Sequence, residues 1–227
     1  MLNIALIDAS IGATPAQENF ERVLSADLTG FKVSDGIDPP PVPTVQSDFD
    51  AVIVTGSQCS VYEDRPWIHR LTDWAREVHE AGVPILGICW GHQFLAQALG
   101  GRIVAMAEYE LGYETIRRTD QSPLFEGIPE EFVAFETHSD RVYELPEGAT
   151  LLAENERGIQ AFELDGSYGV QFHPEYDLDT AEHVTKRKDL PDEQIAAVLA
   201  EITPETYETA KAARRVFENF ESIAARD

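Results

Sequence analysis

Three short apolar runs in the first half of the chain constrain its fold most strongly. They are "NIALIDA" (3–9), "DAVIVTG" (50–56) and "VPILGI" (83–88), and each has the length and the β-branched residues of one buried strand. Segments with helical spacing alternate with these runs. The helical segments are "PAQENFERVLSAD" (15–27), "PWIHRLTDWAREVHEAG" (66–82) and "WGHQFLAQALGG" (90–101). This alternation predicts an α/β fold with an open, mainly parallel sheet and helices on both faces.

The pattern changes after residue 101, where short strand candidates follow one another without helices between them. Glycine, proline and acidic turns separate them, so some of these added strands are expected to be antiparallel. The candidates are "GRIVAM" (101–106), "GYETIRR" (112–118), "EFVAFET" (131–137), "DRVYEL" (140–145), "TLLAEN" (150–155), "IQAFEL" (159–164) and "YGVQFH" (168–173).

The tail from Asp179 onward has helical periodicity in "DEQIAAVLAEI" (192–202) and "TPETYETAKAARRVFENFESIA" (203–224). We expect one domain over 1–227, with an acidic helical insertion at 177–203 before the closing helix. The proline-rich stretch "DPPPVPT" (38–44) is typical of a stiff loop rather than a linker between domains.

The charge balance excludes some partners. The chain has 41 acidic and 17 basic residues, a formal net charge of −24. Such a surface repels nucleic acids and anionic membranes, so neither is expected as a partner. Strong acidity with only four lysines also favours adaptation to high salt, which screens self-repulsion; an ordinary acidic protein is the alternative.

Cellular location is indicated by what the sequence lacks. Cys59 and Cys89 are too few for a disulfide framework, and "MLNIALIDAS" has no basic start like that of a signal peptide. No apolar run reaches the length of a membrane-spanning helix. We therefore expect a cytoplasmic protein.

Cys89 lies at a predicted strand-to-helix junction in the pattern G-x-C-x-G, which is a nucleophile elbow with cysteine in place of serine. The sharp turn needs small residues two positions before and after the nucleophile, and Gly87 and Gly91 provide them. The N-terminus of the following helix favours the reactive thiolate. A buried cysteine that only fills space is the alternative, because free cysteine is among the most buried residue types.

A cysteine nucleophile needs a base, and His173 is the strongest candidate. It is predicted to end the strand "YGVQFH", at the same sheet edge as Cys89, and Glu175 two positions later can return to its side. A carboxylate beside an imidazole fixes its tautomer and supports the imidazolium. The other histidines are His69 and His79 on an amphipathic helix, His92 one turn after Cys89 on the same side of its helix, His138 in a polar loop, and His183 in the charged tail.

Together these motifs resemble the class I glutamine amidotransferases, the domain of GMP synthetase, anthranilate synthase and carbamoyl phosphate synthetase. The resemblance covers about residues 1–176 in the family's order, resumes at 213–220 in the closing helix, and is greatest to the GMP-synthetase-like branch. The similar segments are "VIVTGSQCSVYED" (52–64), "GICWGHQ" (87–93), "THSDRV" (137–142), "VQFHPEY" (170–176) and "ARRVFENF" (213–220). It implies a flavodoxin-like fold with extra antiparallel strands.

The resemblance also implies a mechanism. Cys89 attacks the side-chain amide of glutamine, while His173, oriented by Glu175, takes the thiol proton and returns one to the leaving ammonia. The backbone N–H groups of Ser57 and Trp90 form the oxyanion hole. Water then hydrolyses the γ-glutamyl thioester.

The resemblance assigns the amino-acid end of the substrate to the side chain of Gln93 and the backbone at Ser139 and Asp140. It implies no metal and no organic cofactor. Family members usually pass ammonia to a synthetase, so a separate synthetase is the expected partner of this chain, which lacks a P-loop pattern. The oligomeric state is left open.

One departure from the family concerns the oxyanion loop, which reads Gly56-Ser57-Gln58 where the family usually has Gly-Gly-Pro. Cys59 in that loop is interpreted as a small packing residue rather than a redox group. Two alternatives to a glutaminase stay open. The same residues could hydrolyse a γ-glutamyl peptide or γ-glutamyl amine, and the fold also resembles the DJ-1/PfpI-type stress proteins, which usually have histidine directly after the elbow cysteine.

Overall fold

One mixed β-sheet forms the centre of residues 1–225, the part of the chain that the computed structural model describes. Arg226 and Asp227, the last two residues of the predicted domain 1–227, lie outside the described residues. The strands are β1 (Asn3–Asp8), β2 (Asp27–Lys32), β3 (Ala51–Val54), β4 (Ile85–Ile88), β5 (Arg102–Arg118), β6 (Glu131–Glu144), β7 (Thr150–Asn155), β8 (Gly158–Leu164) and β9 (Ser167–Val170). The helices are α1 (Ala16–Val23), α2 (Val42–Asp48), α3 (Pro66–Glu80), α4 (Trp90–Ala98), α5 (Leu178–Lys186), α6 (Asp192–Glu201), α7 (Pro204–Ala210) and α8 (Arg215–Ala224).

The order of the strands across the sheet is β2-β1-β3-β4-β9-β8-β7-β5-β6. The first five are parallel, and their order is that of a flavodoxin-like sheet. Strands β8, β7, β5 and β6 continue the sheet in antiparallel pairs. The predicted α/β fold with extra antiparallel strands is therefore confirmed.

Alternate side chains of the central strands point to opposite faces, and each face is covered by helices. Ile4 and Leu6 of β1 share an apolar cluster with side chains of α1 and α8. Ala5 and Ile7 belong to a second cluster with side chains of α2, α3 and α4. Full burial on both sides explains why these strands are continuous apolar runs.

Strand β2 has no counterpart among the predicted strands, and the helix predicted at 15–27 ends at Val23 to make room for it. The strand reads "DLTGFK", is at the sheet edge and is half exposed, so it lacks a continuous apolar run. The loop predicted at 38–44 is also partly wrong, because α2 starts inside it at Val42. A proline in the first turn of that helix is compatible with helical geometry.

Strands β5 and β6 each join two of the predicted short strands. The register of this pair shifts between Ala105 and Glu110, a stretch that looks like a turn in the sequence. The two strands remain hydrogen-bonded on both sides of the shift. "THSDRV" therefore lies within β6 instead of forming the expected polar loop, and His138 is buried in the sheet.

Helices α5 and α6, within the stretch 177–203, pack over the β5–β6 pair. Their contact is a third apolar cluster, separate from the two on the parallel strands. Its buried members are Leu111, Phe135, Ala181 and Val198. Across the described residues, every helix is too short or too polar to cross a membrane.

Candidate active site

Cys89 occupies a strained turn between β4 and α4. Its backbone has φ 53° and ψ −102°, which is unusual for a residue with a side chain. A Cβ on Gly87 would lie 2.3 Å from the carbonyl oxygen of Gly91, and one on Gly91 would lie 2.3 Å from that of Val54. Both glycines are therefore required by close backbone packing, as the elbow pattern predicts.

The pairing of β4 with β9 brings His173 to the same edge of the sheet. Ile88 is opposite Val170, and the Cys89 amide donates to the Val170 carbonyl at 2.8 Å. Strand β9 ends at Val170, so the prediction that His173 ends a strand is wrong by three residues. The His173 amide instead donates to the Phe135 carbonyl on β6 at 2.9 Å, which fixes the loop beside the sheet.

His173 and Glu175 form a buried pair, with Nδ1 and Oε1 2.7 Å apart. Burial lowers the pKa of His173, but its electrostatic and hydrogen-bonding interactions with Glu175 and Cys89 outweigh that effect and raise the pKa to about 10. The ring therefore carries a proton near neutral pH. Its Nε2 is buried and makes no full hydrogen bond to any of the described residues. This atom is therefore available to the Cys89 sulfur or to a ligand.

Two other side chains hold this pair in place, and sequence reasoning missed both. Tyr176 stacks on His173, with ring centroids 4.1 Å apart. Arg22 of α1 donates to the Glu175 carbonyl at 2.8 Å and pairs with Asp177 at 3.1 Å. Tyr176 directly follows the His/Glu motif, whereas Arg22 lies 153 residues before Glu175, and no local pattern connects them.

The loop after β3 forms the wall of the site opposite β9. A Cβ on Gly56 would lie 3.3 Å from Cε1 of His173 and 3.9 Å from Cβ of Cys89. Within residues 1–225, no acceptor is bonded to the backbone N–H of Ser57 or of Trp90. Both donors, predicted for an oxyanion hole, are therefore free beside Cys89.

Gln93, Ser139 and Asp140 lie together in the lining of the site. The Gln93 side chain donates to the Asp140 carbonyl at 2.7 Å and to the Gln171 side chain at 2.9 Å. The Asp140 carboxylate accepts from Ser60 and Tyr62, and Ser139 is exposed. These bonds brace the segment predicted to hold the amino-acid end of a substrate.

His138 belongs to a buried charged cluster that was not predicted. Its Nε2 lies 3.0 Å from Glu110 and 3.2 Å from Glu136, and both carboxyl groups are completely buried. Burial lowers the pKa of His138, but the two carboxyl groups raise it well above its ordinary value. Burial raises the pKa of Glu136 to about 7. The alternation of Glu136 and His138 on one strand face could have indicated this pair.

His92 lies away from this site, although it was expected on the side of Cys89. It is completely buried against Phe162 and Gly169, and burial lowers its pKa to about 3, so it is neutral. His69 is exposed and His79 bonds to Ser167, as expected for surface and packing positions. Cys59 lines the active-site wall, and burial raises the pKa of its thiol.

A cavity of about 530 Å³ is lined by Cys89, His173, Glu175 and Gln93 together. Its lining includes the loops that follow β1, β3, β4 and β9, as expected for ligand sites at the carboxyl edge of a parallel sheet. The end of α5 and the following turn close another side. The residues that they contribute are His183, Val184, Arg187, Lys188 and Asp189.

Comparison with known proteins points to one family. The family model "Glutamine amidotransferase class-I" matches residues 15–190. The GMP synthases (glutamine-hydrolysing) of Caldicellulosiruptor saccharolyticus and Clostridium novyi are 41% and 40% identical over 145 and 129 residues. These matches cover 61% and 55% of this chain but 27% and 24% of the relatives, so the chain spans about a quarter of their length.

Solved structures show the same fold. A glutamine amidotransferase from Thermotoga maritima superposes with a TM-score of 0.80 at 20% identity, covering 96% of this chain and 97% of the other. One from Methylobacillus flagellatus gives 0.81 at 19% identity, covering 98% and 95%. With its family model matched over most of its length, the chain belongs to the class I glutamine amidotransferases, which are enzymes that hydrolyse glutamine.

Proposed function

We propose that this chain hydrolyses the side-chain amide of L-glutamine through Cys89, His173 and Glu175. The observation that carries the proposal is the meeting of the strained Cys89 with the buried His173–Glu175 pair in one cavity. A thiolate is a strong nucleophile, and a protonated imidazole beside it supplies the proton that the leaving group needs. The membership of the family supports the same chemistry.

In the first step, the sulfur of Cys89 forms a bond to the amide carbon, and the C–N bond of the amide then breaks. His173 gives its proton to the departing nitrogen, which leaves as ammonia. Negative charge develops on the carbonyl oxygen during this step, and in this proposal the free N–H groups of Ser57 and Trp90 stabilise it.

In the second step, a water molecule attacks the γ-glutamyl thioester. His173 takes a proton from the water, glutamate leaves, and Cys89 returns to its starting state. Gln93, with the backbone at Ser139 and Asp140, holds the amino and carboxyl groups of the substrate. Glu175 keeps the imidazole in the required orientation.

The ammonia acceptor that we propose is a separate synthetase, reached by direct contact between the two proteins in the cytoplasm, where thiols stay reduced. The similar relatives are GMP synthases (glutamine-hydrolysing) about four times as long as the matched region. Glutamine hydrolysis by this chain would then be coupled to an acceptor enzyme.

Release of ammonia and glutamate from L-glutamine by the purified chain, in molar salt, tests this proposal directly. We expect release by the wild type and a loss of about 1,000-fold or more with Cys89→Ala, because removing a nucleophile leaves only binding and oxyanion stabilisation. The circular dichroism spectrum of the variant should be unchanged. Equal rates for the two proteins would contradict the proposal.

A second candidate function is hydrolysis of a larger γ-glutamyl amide by the same residues. The specific observation that favours it is the size of the cavity, because about 530 Å³ suits a drug-sized ligand better than a single amino acid. Release of an amine other than ammonia would distinguish this candidate from a glutaminase.

A further inference from the structure

The side of the cavity formed by α5 lies near the proton donor. Tyr176 stacks on His173, and Tyr109 on β5 packs with Tyr176 against the third apolar cluster. The Tyr109 hydroxyl is bonded to the Thr137 hydroxyl at 3.0 Å, and the Thr137 carbonyl lies 3.9 Å from the Cys89 sulfur. A chain of contacts therefore connects the reactive sulfur to this side of the cavity.

A leaving amine takes its proton from His173, so it departs on the side where His173 and Tyr176 lie. Gln93 and Asp140, which also line the cavity, are proposed to hold the amino-acid part of the substrate. Any group carried by the amine would therefore extend toward Tyr109 and the turn after α5.

That turn carries positive charge. The ammonium of Lys188 lies 5.0 Å from the centre of the Tyr109 ring, and Arg187 precedes it. Among the described residues, these two are the lysine and arginine side chains that line the cavity. They belong to the run Lys186-Arg187-Lys188, in a chain that has only 17 basic residues.

Neither cation forms an ion pair with a described carboxylate. Within residues 1–225, no carboxylate oxygen lies within 4 Å of the charged nitrogens of Arg187 or Lys188, although Asp189 is adjacent in sequence. Lys186, which does not line the cavity, is paired with Glu182. Two unpaired cations at one cavity wall are unexpected in a chain with 41 acidic residues.

We propose that Arg187 and Lys188 form a subsite for an anionic group, a carboxylate or a phosphate, on the amine portion of a γ-glutamyl amide. The substrate class is then the γ-glutamyl amides of anionic amines, such as γ-glutamyl amino acids. The inference rests on the proposed Cys89 chemistry and specifies the substrate of the second candidate function, hydrolysis of a larger γ-glutamyl amide. The γ-glutamyl C–N bond breaks, the C–S bond forms, and the amine leaves with the proton of His173; water then hydrolyses the thioester.

The test compares substrates of matched shape and different charge. Amine release is measured for γ-glutamylglycine, γ-glutamylglycinamide and γ-glutamyl-O-phosphoethanolamine, at the lowest salt that keeps the chain folded, because salt screens the contact. We expect kcat/KM for one or both anionic substrates to exceed that for the neutral amide by about tenfold or more. The substrate with the larger ratio identifies the anion as carboxylate or phosphate.

Variants then assign that preference to the two residues. In Lys188→Met and in the exposed Arg187→Gln, the ratio of anionic to neutral substrate should fall severalfold, and in the double variant it should approach one. Lys186→Met is the matched control, from the same run but outside the cavity, and its ratio should stay at the wild-type value. Loss of packing alone would change all rates together and leave the ratio intact.

The outcomes separate this inference from the proposed function. Turnover of all three substrates without a charge preference, or a preference that survives the double variant, overturns the subsite. An equal loss on L-glutamine and on both kinds of amide also overturns it, because the cations would then bind the glutamyl carboxylate. If no substrate is turned over and iodoacetamide does not label Cys89, the Cys89 chemistry itself is wrong.

Discussion

At the scale of single residues, Gly91 is one of the two elbow positions, with Gly87, that have no room for a Cβ. A Cβ there would overlap the Val54 carbonyl oxygen, which belongs to the central strand β3 and cannot move aside. We expect Gly91→Ala to lower the free energy of unfolding by about 3 kcal/mol, near the upper range for overpacking, and to abolish glutamine hydrolysis. Urea denaturation and the ammonia assay measure the two effects.

Gly30→Ala is the control for that substitution. A Cβ at Gly30, on the exposed strand β2, would lie 2.8 Å from the side-chain oxygen of Gln17. That contact is close too, but the end of the Gln17 side chain is flexible and can move aside. A change below about 1 kcal/mol is expected there. If Gly91→Ala is as stable and active as this control, the close packing described at the elbow is incorrect.

The buried Glu136 predicts a particular dependence of stability on pH. Its pKa is raised from 4.5 to about 7 in the folded chain, so the folded state keeps a proton that the unfolded state releases. This contribution is fully present below pH 4.5 and is lost as the pH rises through 7. Relative to Glu136→Gln, the wild type should therefore lose about 3 kcal/mol across this window.

Urea denaturation at a series of pH values between 4.5 and 7.5 measures this difference. Glu131→Gln, an exposed change on the same strand, provides the control and should follow the wild-type curve. Parallel curves for the wild type and Glu136→Gln would show that burial does not perturb this carboxyl group.

At the scale of elements, Arg22 connects α1 to the start of α5 and to the segment of Glu175. Arg22→Met removes the bond to the Glu175 carbonyl and the ion pair with Asp177, so we expect kcat for glutamine to fall about tenfold with a smaller change in KM. Arg22→Lys should recover part of the loss. Steady-state kinetics measure both parameters.

Arg70→Met on α3 is a suitable comparison, because it removes an exposed ion pair with Asp38. It should leave kcat unchanged. An equal loss of kcat in Arg22→Met and Arg70→Met would argue against a positioning role for Arg22. So would a loss in Arg22→Met that is explained by unfolding of this variant at the assay temperature.

The elements that sequence periodicity predicts correctly are those whose environment is uniform along their length. Strands β1, β3 and β4 are buried on both faces, and α3 has one apolar face, so their patterns are unambiguous. Strand β2 has no such pattern, because an edge strand gains stability from its neighbour's backbone rather than from burial.

The same distinction applies to the site. Cys89, His173 and Glu175 are recognisable because their chemistry demands a local spacing of residue types. The contacts of Arg22 with Glu175 and Asp177 join residues that are distant in sequence, and so does the Glu110–His138 pair. Only the folded chain reveals these contacts. The cavity wall formed by α5 is unpredictable for the same reason.

At the scale of the whole molecule, a net charge of −24 predicts that salt stabilises the chain. Screening of self-repulsion should raise Tm by about 5–10 °C between 0.1 and 2 M KCl. Thermal unfolding followed by circular dichroism measures this, with sucrose of equal osmolality as the control for general solvent effects. A Tm that is constant, or that rises equally in sucrose, would favour an ordinary acidic protein over one adapted to salt.

The third apolar cluster, under α5 and α6, is separate from the two clusters that cover the parallel strands. Substitutions in these helices can therefore change the cavity wall while leaving the apolar packing behind Cys89 intact. In evolutionary terms, the part of the molecule that selects a substrate can diverge faster than the part that performs the reaction. Relatives with the same nucleophile motif and different residues at 183–189 would then be expected to act on different amides.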